Sequence, residues 1–270
     1  MRKVGIMSMQ RIANYGSFLQ AYALKRLIEE VGCNVEFVDY HVGAPVITEN
    51  ADSKNKVVRK IEKGLETFRY RAPLAHKLSF IRYKQSFAQK YMPLLGITDE
   101  MNYNPTVDCL VISSDEVFNC IQKNSNVGYS LELFGKNNHA KKLITYAASF
   151  GNTTLEKLEK YKKANEVGAL LKKFDAISVR DANSGTIVEQ LTGKEPVYNL
   201  DPVLTYDYMN CGDKIPQVQT NEKYLILYAY AGRISNDESD WIAAYAKKKN
   251  LQVYAIGGIQ KGADRFVDCS

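Results

Sequence analysis

The sequence predicts an α/β fold built on a mainly parallel sheet, and three observations point to it. Apolar runs of strand length alternate with stretches of helical periodicity. The chain opens strand, polar glycine-containing loop, helix. Several strands run straight into small or polar residues where an open sheet would place its ligand.

The first strand is Lys3–Met9, and the helix after it spans Ser17–Val31, with Asn14-Tyr15-Gly16 at the turn between them. Gly16 lets backbone approach a ligand, and the unpaired amides of the helix's first turn, with Ser17 as N-cap, attract an anion. Asn and Gly are also ordinary turn formers, so this loop alone stays open between binding and turn chemistry. Further strands are expected at Val35–Tyr40, Val107–Ser113, Lys142–Ala147, Ala176–Val179 and Pro196–Asn199. Helices are expected at Val57–Lys90, Leu155–Phe174 and Ala182–Leu191. Such alternation implies parallel strands covered on both faces. The polar, Gly- and Pro-containing stretch Tyr206–Asn221 reads as a linker. A new unit then begins with strand Tyr224–Tyr230, helix Asn236–Lys249 and strand Leu251–Ile256. One βαβ unit is rarely stable alone. The expected organisation is therefore a Rossmann-like domain over 1–205, a linker over 206–221, and over 222–270 the start of a second Rossmann-like domain, incomplete in this chain.

Composition narrows the function classes. Of the 270 residues, 45% are hydrophobic and 24% charged, the balance of a soluble globular protein. No apolar stretch reaches membrane-span length and the first ten residues lack a secretory core, so the expected location is the cytoplasm. Cys33, Cys109, Cys120, Cys211 and Cys269 are scattered without a Cys-x-x-Cys pair, which reads as buried free thiols. His41, His76 and His139 have no metal-ligand spacing, so no metal is expected. The net charge of +6 is concentrated: Lys54–Lys90 holds eleven Lys/Arg against Glu62 and Glu66. That helix carries Ile61, Leu65, Phe68, Leu78, Ile81 and Phe87 as a patchy apolar face, broken near Ala72-Pro73. A solvated basic face, peripheral contact with the inner face of a membrane, and attraction of phosphorylated substrates all remain open for it. Nucleic acid is not expected, since no reading motif accompanies the charge.

Three further strand tips carry polar chemistry. Ser114 and Asp115 follow the strand ending at Ser113, and in a parallel sheet they face the same crevice as Asn14 and Gly16. Asp115 is either an acceptor of a substrate proton or a cap of the next helix. The run Tyr146-Ala147-Ala148-Ser149-Phe150-Gly151 lets a ligand approach, or serves tight packing. Arg180 offers a planar fork for a carboxylate or phosphate, or pairs with Asp181 or a neighbouring helix end. Asp201-Pro202 reads as a boundary turn. Gly257-Gly258 followed by Gly262 misses the dinucleotide order, and no phosphate-loop motif is present.

In this serial order, several segments resemble the polysaccharide pyruvyl transferase family. They are Asn14-Tyr15-Gly16 with Leu19–Leu24, Asp39-Tyr40, Ser114–Asn119, Tyr146–Gly151, Val179-Arg180-Asp181 and Leu200-Asp201-Pro202. The second motif departs from the family's Gly-Ser-Asp-Gln-hydrophobe-Trp-Asn: Ser113 replaces the glycine, Glu116 the glutamine and Phe118 the tryptophan. A Ser-Phe-His-Gly-like segment, whose histidine the family is thought to use in catalysis, is not among these residues. The resemblance implies a GT-B-like pair of domains. It also implies transfer of pyruvate from phosphoenolpyruvate to a sugar of a cell-surface polysaccharide or its precursor, free or lipid-linked, as a cyclic ketal, with no cofactor. Asp115 is then the candidate base. Asn14, Tyr15, Gly16, Ser114, Ser149 and Arg180 are the candidate substrate-binding residues, with Arg180 on the donor anion. A nucleotide-sugar glycosyltransferase and a non-catalytic binding partner are the competing expectations.

Overall fold

The computed structural model describes residues 1–46, 72–122, 126–209, 221–230 and 233–267. The chain divides into two compact units, Met1–Glu49 with Tyr91–Cys211, and Asn50–Lys90 with Gly212–Ser270.

In the first unit, β1 (Lys3–Met7), β2 (Asn34–Phe37), β3 (Cys109–Ser113) and β4 (Lys142–Tyr146) form one sheet in the order β2-β1-β3-β4. Every pairing is parallel, with Gly5 opposite Glu36 and Leu110, and Ile112 opposite Thr145. Bridges from Ile144 to Ala176 and from Ala148 to Val179 carry the parallel array toward β5 (Ser178–Val179), which pairs with β6 (Val197–Tyr198). The strand order turns round between β1 and β3, and such a reversal opens a crevice at the carboxyl ends of the two strands.

Helix α1 (Tyr15–Glu30) follows β1. It buries Phe18, Ala21, Ala23 and Leu24, where each fully buried large side chain contributes about 1.5–3 kcal/mol. Its cap corrects the expectation from sequence: Asn14 accepts the Ser17 amide through its side chain at 3.2 Å, so the helix starts two residues before Ser17. Gly16 has ordinary helical backbone, and a Cβ there would lie 3.1 Å from Asn14 Oδ1. Its bareness therefore leaves room for the cap.

The helix expected over Leu155–Phe174 is two, α3 (Leu155–Lys160) and α4 (Ala164–Leu171), interrupted where Lys162 takes φ +56°. Leu158 and Val167 are both buried, yet nine residues along one helix is about two and a half turns and would put them on opposite sides. The break turns both toward the core. Helix α5 (Ala182–Thr192) is capped by Asp181 and ended by Gly193 in the left-handed region. The short α6 (Pro202–Thr205) is capped by Asp201. Under the sheet tips Phe118 stacks on Phe134 at 4.8 Å and packs on Phe150 at 5.2 Å.

The second unit contains β7 (Tyr224–Tyr228), α7 (Asn236–Lys249), β8 (Gln252–Ile256) and β9 (Arg265–Phe266), with the strands parallel in that order. Helix α7 has a reciprocal capping box between Ser235 and Glu238, acids in its first turn and Lys247–Lys249 in its last, all matched to the helix dipole. Its Ala246 packs with Val253, Ala255 and Ala263. Residues 74–90 of α2 (Leu74–Leu95) belong to this unit, where Phe80 meets Phe266 edge-on at 5.7 Å.

The face expected for this basic helix needs correction. Tyr83 and Phe87 are buried but Leu78 is 52% exposed, and Ile61, Leu65 and Phe68 lie outside the described residues. Of its described cations Lys77 is buried, whereas Arg82, Lys84 and Lys90 are exposed, as a solvated basic face requires, and the Lys84 ammonium lies 5.2 Å from the Tyr83 ring centre. Among the described residues no helix is long and apolar enough to cross a membrane, and no group of His, Cys, Asp and Glu could hold a metal ion. Cys120 is buried as expected, whereas Cys33 and Cys109 are half-buried; Cys211 and Cys269 lie outside the described residues, as does most of the expected linker.

Candidate functional site

The polar residues that follow β1, β3 and β5 meet in the first unit, at the reversal of strand order. Asn14 closes the first turn of α1 and thereby aims Ser17 across the gap between β1 and β3. The Ser17 hydroxyl donates to Asp115 Oδ2 at 3.0 Å. Asp115 Oδ1 accepts the Glu116 amide at 2.9 Å and faces Arg180 Nη2 at 3.5 Å. Arg180 Nη1 in turn lies 2.5 Å from Asp201 Oδ2. Residues 14, 17, 115, 180 and 201 thus form one connected cluster.

Asp115 stands at φ +69°, in the left-handed region that Asp and Asn tolerate better than other non-glycine residues. Its backbone is fixed there because its carbonyl accepts the Ser149 amide at 3.1 Å, while the Ser149 carbonyl accepts the Phe118 amide at 3.0 Å. No helix begins within residues 116–122, so a helix-capping role for Asp115 is not what the structure contains. The cluster sets one guanidinium against two carboxylates and carries a net charge of −1. Arg180 and Asp115 side chains are 26% and 23% exposed, enough burial to strengthen these interactions and enough access for a small ligand.

The other candidate residues stand behind this surface. Ser114 is buried, with its hydroxyl on Gln20 Oε1 of α1, while Gln20 Nε2 donates to Ser8 Oγ at 3.0 Å. Ser149 is also buried, donating to Asp181 Oδ2 at 2.7 Å and accepting the Gly151 amide at 2.9 Å. Asp181 is occupied by Ser149 and Ser184, so Arg180 does not pair with it; Arg180 pairs instead with Asp201, the cap of the neighbouring helix α6, the helix-end partner the sequence also left open. Tyr15 turns its ring edge to Tyr91 at 5.6 Å. Gly151, at φ +54°, sits where a Cβ would come within 2.6 Å of the Glu116 carboxyl. Glu116 itself accepts from Asn119 Nδ2 at 2.7 Å, and Asn119 Oδ1 takes the Thr153 hydroxyl at 2.9 Å. The second half of this motif braces one loop against the next.

Asp39 and Tyr40 belong to a different cluster. Arg11 clasps Asp39 with two hydrogen bonds, of 2.6 and 2.7 Å, and also donates to the carbonyls of Thr98 and Glu100. Burial would raise the Asp39 pKa, but Arg11, the Asn102 amide and Gln10 together hold it below the usual carboxylate range. Tyr40 is pushed up to about 12 by burial and then by Asp39. A cavity of about 630 Å³ opens at the other end of β4, lined among others by Leu131, Lys136, Lys141, Leu143 and Lys173. It shares no residue with the cluster, and we place the candidate site by its convergent chemistry.

Two members of the cluster escape sequence reasoning. Ser17 reads as the helix cap, although its spacing from Gln20 puts both on one helix face. Asp201 reads as a boundary turn; no local pattern relates it to Arg180, 21 positions away. The sequence model described as polysaccharide pyruvyl transferase matches residues 14–262, which takes in the whole cluster. No curated protein matches the chain.

Proposed function

Because this chain belongs to the polysaccharide pyruvyl transferase family, a family of transferases, we propose that it moves pyruvate from phosphoenolpyruvate to a sugar of a cell-surface polysaccharide or its precursor, forming a cyclic ketal. The observation that carries the reading is the convergence of Asp115 and Arg180 at the reversal of strand order.

The chemistry requires protonation of the enol carbon, attack of two sugar hydroxyls on C2 and departure of phosphate; two acceptor protons are released, one ending on the new methyl group and one on phosphate. Arg180 holds a donor oxyanion, and Asp115 takes the proton of the attacking hydroxyl. The unequal contacts of Arg180 couple the two roles. A donor oxyanion entering at Nη2 competes with the looser Asp115 contact at 3.5 Å rather than the tighter Asp201 contact at 2.5 Å. Donor binding then frees Asp115 for the acceptor. The Ser17 hydroxyl on Asp115 Oδ2 marks the direction from which an acceptor hydroxyl approaches.

In this reading the two units correspond to two Rossmann-like domains of GT-B type, no cofactor is used, and the protein works in the cytoplasm. A lipid-linked acceptor would bring the basic segment 54–90 to the inner face of the membrane. The test is product analysis with phosphoenolpyruvate and candidate saccharide acceptors. Acceptor-dependent phosphate release with a new ketal methyl signal is expected. Nucleoside diphosphate release from a nucleotide sugar would favour a glycosyltransferase, and saccharide binding without turnover a binding protein; either overturns the reading.

A further inference from the structure

We propose that Asp201 is a positioning residue for Arg180, dividing the guanidinium into an anchored arm and a substrate arm. The inference rests on the reading of Arg180 as the donor's anchor.

An arginine side chain has several free torsions, and a lone carboxylate would let it swing. Asp201 is not free to swing with it. Its Oδ1 accepts the Val203 amide at 3.0 Å as the cap of α6, with Pro202 fixing the first helical position, so Oδ2 points in a set direction. That oxygen takes Arg180 Nη1 at 2.5 Å, and the pair is largely withdrawn from water, with side-chain exposures of 26% and 20%. The segment following α6 is itself tied to α1: Tyr208 donates its hydroxyl to the Leu19 carbonyl at 2.7 Å, and Tyr206 meets Tyr22 edge-on at 6.2 Å. The position of Arg180 is thereby referred to the helix that supplies Ser17.

The second consequence concerns Asp115. A carboxylate and a guanidinium within reach tend toward a two-pronged pair. With Nη1 committed to Asp201, Asp115 reaches only Nη2, at 3.5 Å. Asp201 keeps Asp115 from capturing the whole fork, and so keeps both the donor arm and the base available.

The test is Asp201→Asn, which retains a good N-cap and removes the charge. Expected are a rise of about tenfold in KM for phosphoenolpyruvate, a change in kcat below about threefold, an unchanged melting temperature, and partial recovery of KM in Asp201→Glu. Equal losses of stability and of every kinetic parameter would reduce Asp201 to a helix cap and overturn the proposal. A second measurement needs no turnover: nitrogen-15 NMR of the Arg180 side chain in the full chain, assigned with Arg180→Lys. Slow rotation about the Cζ–Nε bond, released in Asp201→Asn, is expected without any ligand. Fast rotation in the unaltered protein overturns the positioning role and leaves the donor reading standing. Slow rotation in a protein that neither binds nor turns over phosphoenolpyruvate supports the positioning geometry while the donor reading fails.

Discussion

Asp115 has both carboxylate oxygens engaged before a ligand arrives, one by the Ser17 hydroxyl and the other by the Glu116 amide and Arg180. An amide in its place keeps an acceptor oxygen and tolerates the same left-handed backbone. Asp115→Asn should therefore leave unfolding unchanged while lowering kcat by about 10²–10⁴-fold, the usual contribution of a general base, in the acceptor-dependent phosphate assay. Gly151 offers the opposite case, a residue whose importance lies in packing. Gly151→Ala forces φ +54° on an alanine, costing about 1–2 kcal/mol, and drives its methyl into Glu116. Urea titration should show at least that loss, and activity should fall only in proportion to the folded fraction. The sequence pointed to Asp115 and Arg180 because charge at a strand tip is visible in one dimension. It did not separate Ser114, whose hydroxyl lies on Gln20, and Ser149, whose hydroxyl lies on Asp181, from Ser17, whose hydroxyl lies on Asp115; all three are buried, and the difference is one of partner and not of residue type.

The elements themselves were largely legible where burial alternates with a clear period: α1, α5, α7 and the strands β1, β3 and β4 lie within a few residues of the expected spans. Sequence periodicity failed where a helix had to break to keep its apolar residues on one side, as at Lys162 between Leu158 and Val167. It also gave no sign that Asp39 at the end of β2 would be clasped by Arg11 from the loop after β1. That latch joins the two loops to residues 98–102 and predicts both a stability and a pH effect. The Asp39 side chain is only 4% exposed, so Arg11→Met leaves a buried charge uncompensated and should cost about 3 kcal/mol in urea unfolding. The Asp39 pKa is lowered in the folded protein. Its contribution is therefore complete above the unfolded carboxylate value of about 3.9 and is lost as pH falls through the lower folded value. Urea midpoints measured on either side of that window should fall with acid in the unaltered protein and fall less steeply in Asp39→Asn.

Topology turns these separate tips into one site, and topology is what a linear reading reaches only by inference. β1 and β3 are neighbours although residues 8–108 separate them, and the loop after β5 reaches the same place because the parallel array continues past β4. Alternating strands and helices made convergence of these tips expected, and the contacts from Ser17 through Asp115 to Arg180 join them. The whole-molecule charge of +6 gives no guide to it, since the cluster itself is net negative. In the proposed reading a donor anion therefore binds by exchange, releasing Asp115 from Arg180, rather than by simple attraction. Such exchange should be visible as protection spread over every loop that meets in the cluster. At phosphoenolpyruvate about 100 times its Kd, linkage stabilises the bound state by about 2.7 kcal/mol, close to a hundredfold. Hydrogen exchange should slow by up to that factor in peptides covering residues 14–18, 114–119, 149–151 and 180–204, where opening requires release of the donor. Lysine at position 180 keeps the charge and loses the planar fork, so in Arg180→Lys the same donor concentration should give little protection. Protection that persists undiminished in Arg180→Lys would move the donor away from this cluster, while leaving its membership of the fold and the family untouched.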